Sequence, residues 1–240
     1  MDGFTATHHA LLFAWISKAV VQAVGEKEGE RILRRAVIKY AHQRGKRMAL
    51  RAKANGDPLT MANYMAYIEW MPQKGEMEQK LVQRSPHTRV NVFKCPWHTA
   101  WKENNLMTYG RYFCMEVDKA LVEGFNEELA IDVKGTQPNN AKCCDLIFKD
   151  AYLTPLNIIK LIYKKLIKPG KKAIMSWEYH SGHLYKTMGE VVGEELGQRA
   201  EKVMATGLKN FTDRYGKEAG DIVISYRNTD FDILPKTQVS

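Results

Sequence analysis

Between Gly25 and the turn signal NGDP at 55–58 runs EKEGERILRRAVIKYAHQRGKRMALRAKA, one continuous helical pattern whose inward face changes chemistry along its length. Projected at 100° per residue, Leu33, Val37 and Tyr40 share a face, and Arg44, Arg47 and Arg51 continue it. Arginines aimed at a core must meet anions, because a buried unpaired charge is very costly. The stripe therefore predicts either structural ion pairs or a site in which Arg44 and Arg47 seat the carboxylate or phosphate of a ligand. Gly45, a poor helix residue beside them, is expected to admit a close approach there.

The rest of the composition narrows the class. The chain has 240 residues, 45% hydrophobic and 26% charged, enough for a large core without covalent staples. No apolar run approaches the length of a membrane span, and the N-terminus MDGFTATHHALLFAW lacks a basic leader and cleavage site, so a cytoplasmic location is expected. Cysteines 95, 114, 143 and 144 are then read as thiols. The net charge of +9 concentrates in residues 31–53 and 160–172, neither of which contains an acid. No zinc-finger spacing, RNP-like motif or KH-type loop accompanies it, so nucleic acid is not the expected partner.

Helical spacing predicts further helices at 7–24, capped by Thr5 or Thr7, at 60–70, after Pro96, and at 108–123. TRVNVFKC at 88–95 alternates as a strand, and two more strands are expected at 127–133 and 143–149. The fold class is therefore α+β, with helices packed on a small antiparallel sheet over residues 1–150. Residues 151–240 read as a mainly helical extension packing on that domain. It holds a basic amphipathic helix closed by Pro169-Gly170, a helix or broken pair over 182–216, and a strand at DIVISY, 221–226. That basic helix is read as packing on the protein with its lysines snorkelling, and no membrane partner is expected. VGEKEGER at 24–31 echoes VGEELGQR at 192–199, each after a histidine-bearing segment, which suggests a duplicated helical hairpin.

Three groups carry candidate chemistry. His9 starts an apolar helix face, where the helix N-terminus favours a neutral ring, as a general base requires; a hydrogen-bonded core histidine is the alternative. In GRYFCMEVDKALVEGFN, Cys114 and Asp118 stand one helical turn apart on the face of Gly110, Val117 and Leu121. Asp118 alone would suppress a thiolate, so an active Cys114 needs a cation, which Arg111, Arg44 or a histidine would supply. Gly110 is expected to leave room beside the thiol. Cys95, His98, Cys143 and Cys144 are zinc-type ligands, but Cys143 and Cys144 point to opposite faces of a strand, so no metal or other cofactor is expected.

The segments HHALLF, QRGKRM, ANYMAYIEW, KCPWHTAWKE, YGRYFCMEVDKALVEGFN and KCCDLIF occur in this order. The series, from about His8 to Phe148, resembles the L-2-amino-thiazoline-4-carboxylic acid hydrolase family. The resemblance implies hydrolytic ring opening of a small carboxylate-bearing cyclic amidine at a non-peptide carbon–nitrogen bond. On that basis Arg44 and Arg47 would take the carboxylate, and Asp118 would hold or protonate an amidine nitrogen. Cys114 would attack the electrophilic carbon or line the pocket while water attacks, and His9 would handle the proton. Trp70 and Trp97 would wall the ring. The competing expectations are a non-catalytic carboxylate sensor and a basic nucleic-acid accessory protein. The roles of His180 and His183, and self-association, stay open at this stage.

Overall fold

The computed structural model describes residues 3–166 and 173–235. Helix α1 (Ala6–Val24) starts at Thr5, whose backbone N–H is accepted by His8 Nδ1 at 3.1 Å. The chain turns at Gly25, with φ +83°, directly into α2 (Glu26–Ala54). After α3 (Met61–Ala66), strands β1 (Glu78–Gln83) and β2 (Thr88–Lys94) lead to α4 (Pro96–Glu103) and α5 (Met107–Phe125). Strands β3 (Ile131–Gly135) and β4 (Cys144–Phe148) complete an antiparallel sheet of order β1-β2-β4-β3.

Helices α2 and α5 form the backbone of the molecule. They approach so closely at Gly45 and Gly124 that a methyl group on either would strike the other helix's backbone. Gly45 thus admits α5, not a ligand. Gly110 is likewise filled, by the ring of Trp101, and leaves no space beside Cys114.

The C-terminal residues add α6 (Pro155–Leu166), α7 (Trp177–Leu196), α8 (Ala200–Tyr215) and α9 (Lys217–Ser225). Their buried Leu184, Met188, Val191, Met204 and Phe211 join Leu12, Phe13, Ile16, Leu33 and Val37 in one hydrophobic core. The sheet closes over a second core, where Leu146 and Phe148 meet Tyr64, Leu121 and Phe125. The α+β class is as expected from the sequence.

Four local expectations differ. The helix expected at 60–70 stops at Ala66, and the next residues turn Glu69 into the core. The strand expected at 127–133 starts only at Ile131. DIVISY is helical, because Val223 and Ala219 pack into the first core and tertiary burial overrides β-propensity. β1 was not expected at all: all six of its residues are exposed, so no face alternates. The helix pair over 182–216 breaks at Gly197, φ +54°. In the echo, however, Gly197 aligns with Gly29, not with the junction residue Gly25. Pro169-Gly170 lies outside the described residues. Among the described residues, no helix is long and apolar enough to cross a membrane.

Candidate active site

The cationic stripe of α2 converges on one carboxylate. Glu69 is fully buried and accepts from Arg47 Nε at 3.0 Å and Nη2 at 2.9 Å, and from Arg51 Nη1 at 2.6 Å. Burial alone would raise its pKa, but Arg47 and Arg51 hold it well below the usual carboxylate range. Every nitrogen of Arg47 is engaged: Nη1 donates to the Phe231 carbonyl at 2.7 Å, and Nη2 also faces His183 Nδ1 at 3.3 Å. His183 Nε2 lies 2.8 Å from Gln43 Oε1, an acceptor, so that nitrogen carries the proton. His180 Nε2 donates to the Glu69 carbonyl at 3.0 Å, while its buried Nδ1 has no partner among the described residues. Burial pushes His180 down to about 3, so its ring is neutral.

Arg44 differs from its neighbours. It makes one long bond, from Nε to Glu69 Oε2 at 3.4 Å, and its terminal nitrogens donate none among the described residues. Its guanidinium lies 5.4 Å from the Tyr40 ring centroid. Asp118 of α5 is half-buried and has no hydrogen bond or ion pair among the described residues. Burial pushes Asp118 up to about 6, with Arg44 pulling the other way. Asp118 and Cys114 are both half-buried on α5, each keeping some accessible surface.

Three thiols lie within the electrostatic reach of Asp118. Burial raises Cys95, Cys114 and Cys144, and the Asp118 charge raises each of them further. No cation offsets the shift at Cys114, so it is a neutral thiol. Cys144 faces inward with Leu146 and Phe148, whereas Cys143 lies on the side of the Arg89–Asp145 ion pair, following strand alternation. His98 lines a separate cleft of about 550 Å³ with Phe93, Lys94 and Lys102. Among the described residues, no group of three or more His, Cys, Asp or Glu is placed to hold a metal ion.

His9 is fully buried, and both its ring nitrogens are engaged. Trp97 Nε1, which can only donate, reaches Nδ1 at 3.1 Å. Nε2 therefore carries the proton and donates to the Tyr40 hydroxyl at 2.9 Å. Burial, with His180 and Arg44, keeps the ring neutral. Trp97 and Trp70 meet edge-to-face at 4.8 Å, and Trp177 joins them at 5.4 Å from Trp97.

The structure thus brings His9, Arg44, Arg47, Trp70, Trp97, Cys114 and Asp118 into one region. Arg111 is not among them: it points to the α1–α2 junction and pairs with Glu26 at 2.7 Å. The places of Glu69 and Trp177 beside these groups are not expected from the sequence. The signal for Glu69 was present, as a lone acid in the apolar run YMAYIEW.

These groups sit in a mixed helix–sheet fold whose arginine stripe, buried histidines and tryptophan cluster all lie on or against α2 and its neighbours. The chain belongs to the L-2-amino-thiazoline-4-carboxylic acid hydrolase family, whose model matches residues 5–148. No curated protein and no solved structure matches it. The matched span contains the arginine stripe, Glu69, Cys114 and Asp118, whereas Trp177, His180, His183 and Phe231 lie beyond it.

Proposed function

We propose that this protein hydrolyses a carbon–nitrogen bond in a small, carboxylate-bearing cyclic amidine, of the kind the family description names. The observation that carries the reading is the contrast within the stripe. Arg47 and Arg51 are spent on Glu69, while the terminal nitrogens of Arg44 stay unused within electrostatic reach of Asp118, which has no partner among the described residues. Arg44 then takes the substrate carboxylate in a forked pair. Asp118, mostly ionised at neutral pH with a pKa of about 6, accepts a proton from the attacking water. Water adds to the amidine carbon, the ring carbon–nitrogen bond breaks, and Asp118 returns the proton to the leaving nitrogen.

The neutral thiol of Cys114 lines the site in this scheme, and water is the nucleophile. His9 has no free nitrogen and acts as a positioning residue. By donating to Tyr40, it leaves the tyrosine's own proton available to a developing anion in the site. Trp70, Trp97 and Trp177 supply the ring-sized apolar wall.

The test is mass spectrometry of products from a panel of cyclic amidines, cyclic ureas and lactams. A product heavier than a carboxylate-bearing amidine by one water is expected. Saturable binding with no product from any member would replace the enzyme by a binding domain.

A further inference from the structure

Helix α6 is held to the body by one side only. Ile158 and Leu161 pack toward the second core, and Lys164 Nζ donates to Asn63 Oδ1 at 2.9 Å. The opposite side carries Leu156, Ile159, Ile162 and Tyr163, which are 71%, 64%, 50% and 48% exposed. Spacings of three and four residues set them on one stripe. Tyr152, itself half exposed, extends the stripe beyond the helix N-terminus. The next residue ties this segment to the β1–β2 turn, Leu153 N donating to the Arg84 carbonyl at 3.0 Å.

The charge along the helix is basic, with Lys164 paired to Asp57 at 2.5 Å and Asp150 preceding the segment. From Ala151 to Trp177 the sequence contains six lysines and no acid, and exposed Lys160 and Arg84 flank the apolar residues. We infer that α6 is a docking surface for an anionic lipid bilayer, on which it lies in the interfacial plane with its apolar stripe inserted. A basic polar flank around a bulky apolar face is the chemistry such an interface selects. A second copy of the chain fits less well, because pairing the stripe with itself sets Lys160 against Lys160 between two molecules of net charge +9.

Cosedimentation with vesicles tests this on the full chain. Binding is expected to phosphatidylcholine vesicles containing phosphatidylserine, to weaken as salt rises, and to be far lower on phosphatidylcholine alone. The double variant Leu156→Glu, Ile159→Glu should reduce partitioning at least ~10-fold with an unchanged melting temperature. Lys160→Glu, a purely surface change, should reduce it by a smaller factor. Equal sedimentation of wild type and both variants, or no binding at low salt, would overturn the inference. So would a concentration-dependent dimer in ultracentrifugation that the double variant abolishes.

Discussion

Two ends of one arginine stripe, about two helical turns of α2, do opposite things. At the far end Arg47 and Arg51 meet Glu69 in a buried, closely bonded cluster to which the Phe231 carbonyl adds an acceptor. One turn earlier, Arg44 holds its partner loosely and lies within electrostatic reach of Asp118, which has none among the described residues. A buried charge closely bonded to its counter-ion is scaffold, since removing one member strands the others. One with unused donors is held ready for something that arrives.

The largest expected effect breaks the closed end. Glu69→Ala leaves Arg47 and Arg51 buried without an anion and should cost about 3–5 kcal/mol, read by denaturant unfolding. At the open end the sign reverses. A carboxyl whose folded pKa lies above its unfolded value stabilises the fold below the unfolded value, and that stability is lost as pH rises through the folded one. With Asp118 at about 6, Asp118→Asn should abolish turnover yet raise the melting temperature at pH 7 and above, with little change near pH 4. Unchanged turnover with lowered stability would place Asp118 with Glu69 as scaffold.

Arg44→Gln should come next, raising KM about 10–100-fold for carboxylate-bearing substrates while leaving neutral analogues unaffected. The buried histidines give a subtler signature. His9, His180 and His183 are all held neutral by burial, their folded pKa values depressed. Their contribution is present above the ordinary histidine value and drains as pH falls below about 6.5, so urea midpoints should drop on acidification. The smallest effect is expected for Cys114→Ser, which should keep turnover within about tenfold if the thiol is a neutral wall. Complete loss, with the fold intact, would restore it as the nucleophile.

Much of this contrast was legible in the sequence, and the reasons differ by element. Helices α2 and α5 announce themselves by a face buried at helical spacing, and α1 by an apolar run so long that it is buried on nearly every side. That α2 carries arginines inward, and α5 a carboxylate beside a thiol, followed from the same projection. What the arginines would meet did not, since Glu69 sits on a non-helical turn where no periodicity fixes its direction. Arg111 and Arg44 looked alike as possible cations for Cys114; only the packing of α5 against α2 and the α1–α2 junction separates them. Gly45 and Gly110 were visible as anomalies, but backbone and a tryptophan fill the space, not substrate. The contribution of α7 was hidden because His180 and His183 lie about 110 to 140 residues from the groups they touch. The echo between 24–31 and 192–199 suggested a duplicated hairpin; instead Arg31 and Glu195, one from each segment, pair across α2 and α7.

The account stands on Asp118 being the open carboxylate that moves the proton. The pH dependence of kcat/KM for 2-amino-thiazoline-4-carboxylate, measured for wild type and Asp118→Asn, tests it most directly. The wild-type rate should rise with pH through a single ionisation near 6 and level off, with the variant lacking measurable turnover across the range. A wild-type profile flat through that region, or a variant that retains the wild-type rate, would contradict it.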